Sequence, residues 1–187
     1  MNIRNFFRIA CMALLLVGAS QAMARVTTVT DPERPRQLEG DSPVSVSWDD
    51  PADFTEIRYS GNRWEAQRGN WVMQLAEHLR KQVGKALPEG QRVEIHITDI
   101  DLAGDYRPGQ GMNTDHIRMM RDIYPPRMRF DYTRYDANGQ IIAQGERKLS
   151  DMGYLSRSTT RFDSDKLAYE KRMIDEWVRR EMTTAGG

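Results

Sequence analysis

Apolar residues in this chain change period along its length, and the order of those periods restricts the folds open to it. Val44, Val46 and Trp48 alternate with Ser45 and Ser47, which puts three apolar side chains on one face of a strand. From Trp71 the spacing becomes three and four, through Val72, Leu75, Leu79, Val83 and Ala86, as on a helix with one buried face. That helix is expected over about 68–87, ended by Pro88 and Gly90. Val93, Ile95 and Ile97 return to alternation, so strand, helix and strand follow one another, the order of a right-handed crossover between parallel strands. Met128, Phe130 and Tyr132, then Asp136-Ala137-Asn138-Gly139, then Ile141, Ala143 and Leu149 predict an antiparallel hairpin, because Asn and Gly both tolerate positive φ. A final helix carries Leu167, Met173, Ile174, Trp177 and Val178 on one side, with Asp163-Ser164-Asp165 as its N-cap. The order β-α-β-β-β-α predicts an α+β two-layer sandwich, a mixed four-stranded sheet with both helices on one face. Between 102 and 126 glycine and proline crowd the chain, and the only regular element expected there is a short helix over 115–124.

The first 24 residues read as an export signal. Arg4 and Arg8 supply the positive end, the stretch from Ile9 to Val17 is apolar, and Ala22-Met23-Ala24 is a small-x-small cleavage site before Arg25. An apolar run this short falls well below the roughly 20 residues that a membrane-spanning helix needs. The expected organisation is a signal over 1–24, an extended or disordered arm over 25–43, one α+β domain over 44–182 and a frayed tail over 183–187. The expected location is the periplasm, with cleavage after Ala24 and no transmembrane segment. The processed chain would carry 25 basic and 27 acidic residues, once Arg4 and Arg8 leave with the signal. Such a balance gives no field to attract nucleic acid, and no nucleic-acid partner is expected. Cys11 is the one cysteine and lies in the signal, so no disulfide, thiol nucleophile or thiolate ligand is expected afterwards.

Catalytic signatures are sparse. No Gly-x-Ser-x-Gly elbow or Ser-x-x-Lys pair marks a nucleophile. Asp99-x-Asp101 with Gly104 begins like a calcium loop, but Ala103 stands where an oxygen ligand is wanted and Gln110 where the twelfth-position carboxylate belongs. The two aspartates therefore read as ending a strand and holding the turn. Met112, His116, Met119 and Met120 have ligand types suited to Cu(I), although methionine is also the common filler of irregular cores. His78, His96 and His116 are scattered, with no zinc-binding pair. No cofactor and no metal are expected.

Arg107, Arg118, Arg121, Arg127 and Arg129 face three acids, Asp105, Asp115 and Asp122, over the same stretch. With Tyr106 and Tyr124 they could hold a carboxylate or phosphate, or could form internal ion pairs on a solvated loop. On the last helix, an advance of 100° per residue puts Glu170 between Ile174 and Trp177, inside the apolar stripe. A buried carboxylate needs a partner, and Tyr154 or an arginine of the preceding loop is the one expected.

Four strings resemble a family of exported Gram-negative proteins catalogued as a domain of unknown function, numbered 3016: Asp99-Ile100-Asp101-Leu102-Ala103-Gly104, Tyr124-Pro125-Pro126-Arg127, Leu149-Ser150-Asp151-Met152-Gly153-Tyr154-Leu155, and Tyr169 to Trp177. The resemblance covers roughly 44–178 and implies export and a single domain. It implies no activity, cofactor or partner, and the Met/His cluster is not part of its pattern.

The expectation is a non-enzymatic binding module of the cell envelope, contacting an envelope protein or glycan through the loops over 102–126 and 150–162. Its candidate contact residues are Asp99, Asp101, Arg107, Arg127, Tyr154 and Arg157, with Glu170 as a structural buried acid. The alternative is a hydrolase or metal-assisted enzyme using Asp99, Asp101 and His96 at the end of a strand. The sequence leaves the oligomeric state open.

Overall fold

A computed structural model describes residues 27–109, 114–156 and 165–183. Arg157 and Met112, the cap residues Asp163 and Ser164, and the signal read over 1–24 lie outside them.

The fold is α+β, built on a mixed four-stranded sheet. Its strands are β1 (Val44–Trp48), β2 (Arg92–Asp101), β5 (Arg127–Tyr135) and β6 (Ile141–Ser150), side by side in that order, while β3 (Asp105–Tyr106) and β4 (Arg118–Met119) form a separate ribbon. β1 runs parallel to β2, with Ser47 opposite His96, and β5 and β6 are antiparallel additions. The connection from β1 to β2 holds two one-turn helices, α1 (Thr55–Arg58) and α2 (Arg63–Ala66), before the long α3 (Trp71–Ala86). The last described element is α4 (Ala168–Thr183), and in the turn that precedes it Asp165 Oδ1 accepts from Leu167 N at 2.9 Å.

Alternation places Val44, Val46, Val93, Ile95, Ile97, Met128 and Phe130 on one face of the sheet, all buried. α3 and α4 lie against that face, and Leu75, Leu79, Val83, Ile174 and Trp177 complete a single apolar cluster. Trp177 meets the Phe130 ring edge-on, with centroids 4.8 Å apart. The hairpin turn follows its sequence: Gly139 has φ +80°, and Asp136 Oδ1 accepts from Asn138 N and Gln140 N at 2.9 and 2.8 Å.

One expectation needs revision. The stretch over 115–124 is not a helix, since its central residues form β4, tied to β3 by the pairs Asp105–Met119 and Tyr106–Arg118. Strands of two residues are too short to show a period. Within the arm expected over 25–43, the described residues from Thr27 onward lie against the domain. Leu38 N donates to Val46 O and Trp48 N to Arg36 O, both at 2.9 Å, so this segment runs along the free edge of β1. Val29 is buried, and its amide reaches Gln67 O at 2.8 Å.

Candidate functional site

The antiparallel register sets Asp101 beside Arg127 and Arg127 beside Ser150, so the C-termini of β2 and β6 and the N-terminus of β5 share one end of the sheet. Both long loops leave from this end, and all four of the strings named above meet there. At the centre is the turn after β2, where three successive amides each find an acceptor from a different part of the chain. Leu102 N donates to Glu56 Oε2 at 3.0 Å, Ala103 N to Glu170 Oε1 at 2.6 Å, and Gly104 N to Tyr124 O at 2.9 Å. The turn needs Gly104, because its φ is +77° and a Cβ would lie 2.8 Å from Met119 O and 2.6 Å from Met120 Sδ.

Both acids are almost wholly buried, Glu56 at 4% and Glu170 at 1% exposure. Glu56 comes from α1 and pairs with the guanidinium of Arg118 on β4, which also donates to Gly104 O at 3.0 Å and lies over the Tyr106 ring. Burial outweighs this pairing and pushes the Glu56 carboxyl up to about 7. Glu170 is raised as well, again by burial, which outweighs the Ala103 amide bonded to Oε1, and Oε2 has no partner among the described residues. Of the partners expected for Glu170, Tyr154 is corrected, since it donates its hydroxyl to Arg121 O at 2.6 Å and the Ala103 amide donates to Glu170 instead, while the arginines of the preceding loop, Arg157 and Arg161, lie outside the described residues. Glu56 went unnoticed in the sequence, where it sits in a short loop with nothing to link it to an arginine 62 positions away.

Because the folded Glu56 binds its proton more tightly than an exposed glutamate, its contribution to stability is full below about pH 4.5 and is lost as pH rises through about 7. Glu170 acts in the same direction. Urea titrations between pH 5 and pH 8 should show stability falling with pH, and Glu56→Gln should remove about 3 kcal/mol of that fall. Equal pH slopes in the two proteins would contradict the assignment.

The remaining candidates are placed as follows. Asp99 accepts from Thr55 N at 2.7 Å and Thr55 Oγ1 at 2.8 Å, so it caps α1 from a neighbouring strand, with Arg129 3.9 Å away. Asp101 pairs with Arg127 at 3.2 Å, and Arg107 with Asp105 at 2.9 Å while lying over the Tyr124 ring. Four of the five clustered arginines thus have an acid beside them. Tyr154, expected to contact a ligand, is completely buried and packs edge-on against Tyr169 at 4.9 Å. It clamps the two loops together, helped by Arg172, which donates to Tyr154 O at 2.8 Å and pairs with Asp151 at 3.3 Å. His96 does not join Asp99 and Asp101 but lies between Ser47 and Asp49, and among the described residues no three His, Cys, Asp or Glu side chains gather to hold a metal ion. His116 and Met120 are exposed.

Beyond this clamp the loops present apolar side chains to solvent, Ile123 at 60% and Met152 at 65% exposure, with Ile117 and Leu155 also open. Among the described residues no helix is long and apolar enough to cross a membrane.

The sequence pattern of a family described as protein of unknown function (DUF3016) matches residues 42–180. No curated protein matches the chain. A solved structure described as "a putative lipoprotein from Caulobacter crescentus CB15" is similar at 16% identity with a TM-score of 0.35, over 59% of this chain and 80% of that one.

Proposed function

We propose, for a chain that belongs to the DUF3016 family of proteins of unknown function, a periplasmic binding module that recognises an envelope protein through the loop end of its sheet. The observation that carries this reading is the contrast at that end. Exposed Ile123, Met152 and Leu155 stand on loops whose bases are pinned by Tyr154, Glu56 and Glu170. Apolar side chains held out on a rigid base are what a protein interface uses, since a preorganised surface loses little entropy on docking. Their chemistry favours the apolar side chains of a protein over the hydroxyls of a glycan. The strand-end carboxylates, meanwhile, are engaged with Thr55 and Arg127, which leaves them poorly placed to act on a substrate. Export itself rests on the charged, apolar and small-residue segments of the first 24 positions.

Photo-reactive residues placed in cells at Ile123, Met152 and Lys81 test the reading, Lys81 being exposed on α3. Positions 123 and 152 should give the same discrete adduct with an envelope protein, and position 81 should not. Adducts of equal yield from position 81, or none from 123 and 152, would contradict it.

A further inference from the structure

The face of the sheet opposite α3 and α4 carries a second arrangement, remote in kind from the loop end. Parallel pairing sets Ser47 opposite His96. Alternation then brings Asp49, two residues after Ser47, back to the same side. Ser47 Oγ lies 2.9 Å from His96 Nδ1, and Asp49 Oδ1 lies 2.9 Å from His96 Nε2. A carboxylate can only accept, so Nε2 carries the proton toward Asp49. In the neutral ring Nδ1 is then the lone-pair nitrogen, and the Ser47 hydroxyl donates to it. A nucleophile, a base and an orienting carboxylate in hydrogen-bond sequence define a serine nucleophile by geometry rather than by motif or chain order.

We propose that Ser47, His96 and Asp49 form an acyl-transfer site for uncharged or cationic esters. Ser47 attacks the ester carbonyl carbon as its proton passes to His96 Nδ1. Collapse of the tetrahedral species breaks the carbon–oxygen bond to the alcohol, which leaves with the proton from Nδ1. Water then attacks the acyl-serine, gives its proton to Nδ1, and the carboxylic acid departs as Ser47 Oγ takes the proton back. Ser47 and His96 are the catalytic residues, and Asp49 is a positioning residue that sets the tautomer.

The surroundings set the substrate class and the rate. The shallow depression around the serine is lined by Ser45, Glu94, Asp131 and Thr133 besides Ser47 and His96. Glu94 is paired with Arg92, so the negative charge facing the depression comes from Asp131 and from Asp49 beside His96, which disfavours an anionic acyl group and favours a neutral or positively charged one. β1 is bridged on both sides at Ser47, by His96 and by Gln37, so sheet pairing occupies its backbone. The hydroxyls of Ser45 and Thr133 are what line the depression in place of an amide pair. A missing oxyanion donor costs on the order of a hundredfold or more, so turnover is slow and a stoichiometric probe is the better test.

The full chain is treated with an alkyl fluorophosphonate, which exchanges fluoride for the Ser47 oxygen at phosphorus, and the adduct is mapped by mass spectrometry alongside p-nitrophenyl acetate hydrolysis. One adduct is expected, on Ser47, absent from Ser47→Ala and formed at least tenfold more slowly in His96→Gln. Asp49→Ala should slow labelling and Asp49→Glu, which keeps a carboxylate, should restore part of the rate. Circular dichroism accompanies each variant; if Ser47→Ala does not fold, His96→Gln, which retains the serine, carries the test. No adduct, an adduct elsewhere, or a rate unchanged in His96→Gln overturns the proposal.

Discussion

Replacing Arg118 by leucine should cost about 3–5 kcal/mol at pH 8, the penalty for leaving one member of a buried ion pair without its partner. Arg118 is what Glu56 faces from β4, and it also holds the Gly104 carbonyl, so the substitution strips a charge and a donor from the same turn. For a chain of this size the melting temperature should fall by about 10–15 °C. The loss should shrink at pH 5, where the raised Glu56 carboxyl takes a proton and no longer needs the cation. Combining Arg118→Leu with Glu56→Gln should recover part of the deficit, because the two side chains are in contact and their effects are coupled. Additive losses across the double-mutant cycle would show that the pair contributes nothing specific.

Trp177→Ala should be comparably severe, about 3–5 kcal/mol, for a different reason. Trp177 is buried on α4 and bridges the two layers, meeting Phe130 at 4.8 Å and Tyr132 at 6.2 Å, both edge-on. Removal deletes those aromatic contacts and opens a cavity in a close-packed interior. Its indole nitrogen has no hydrogen-bond partner among the described residues. Trp177→Phe therefore loses apolar area alone and should keep most of the stability. Chemical denaturation of the two variants separates packing from polar contributions, and equal losses would contradict this account of the core.

The elements legible in the sequence were those with a period long enough to read. Alternation at Val93, Ile95 and Ile97 and at Met128, Phe130 and Tyr132, together with the Asn138-Gly139 turn, led to the sheet and its hairpin. The ribbon of β3 and β4 escaped because two residues carry no period. Val29 and Leu38 are isolated apolar residues in a polar run, held largely through main-chain bonds that leave no trace in residue type. Burial of Glu170 followed from its place in the helical stripe, but its acceptor role did not, since the donor is a backbone amide 67 positions away. Glu56 and Arg118 were invisible as a pair for the same reason. Ser47, His96 and Asp49 become a constellation only when the parallel register sets residue 47 beside residue 96.

A turn gripped by two buried carboxyls is the element on which the loop end depends, and amide hydrogen exchange reads it residue by residue. In the full chain at pH 6, Leu102, Ala103 and Gly104 should exchange as slowly as Ile95 and Ile97 in the centre of β2, and Arg118→Leu should release the three while sparing those two. Fast exchange at 102–104 in the unaltered protein would contradict the clamp.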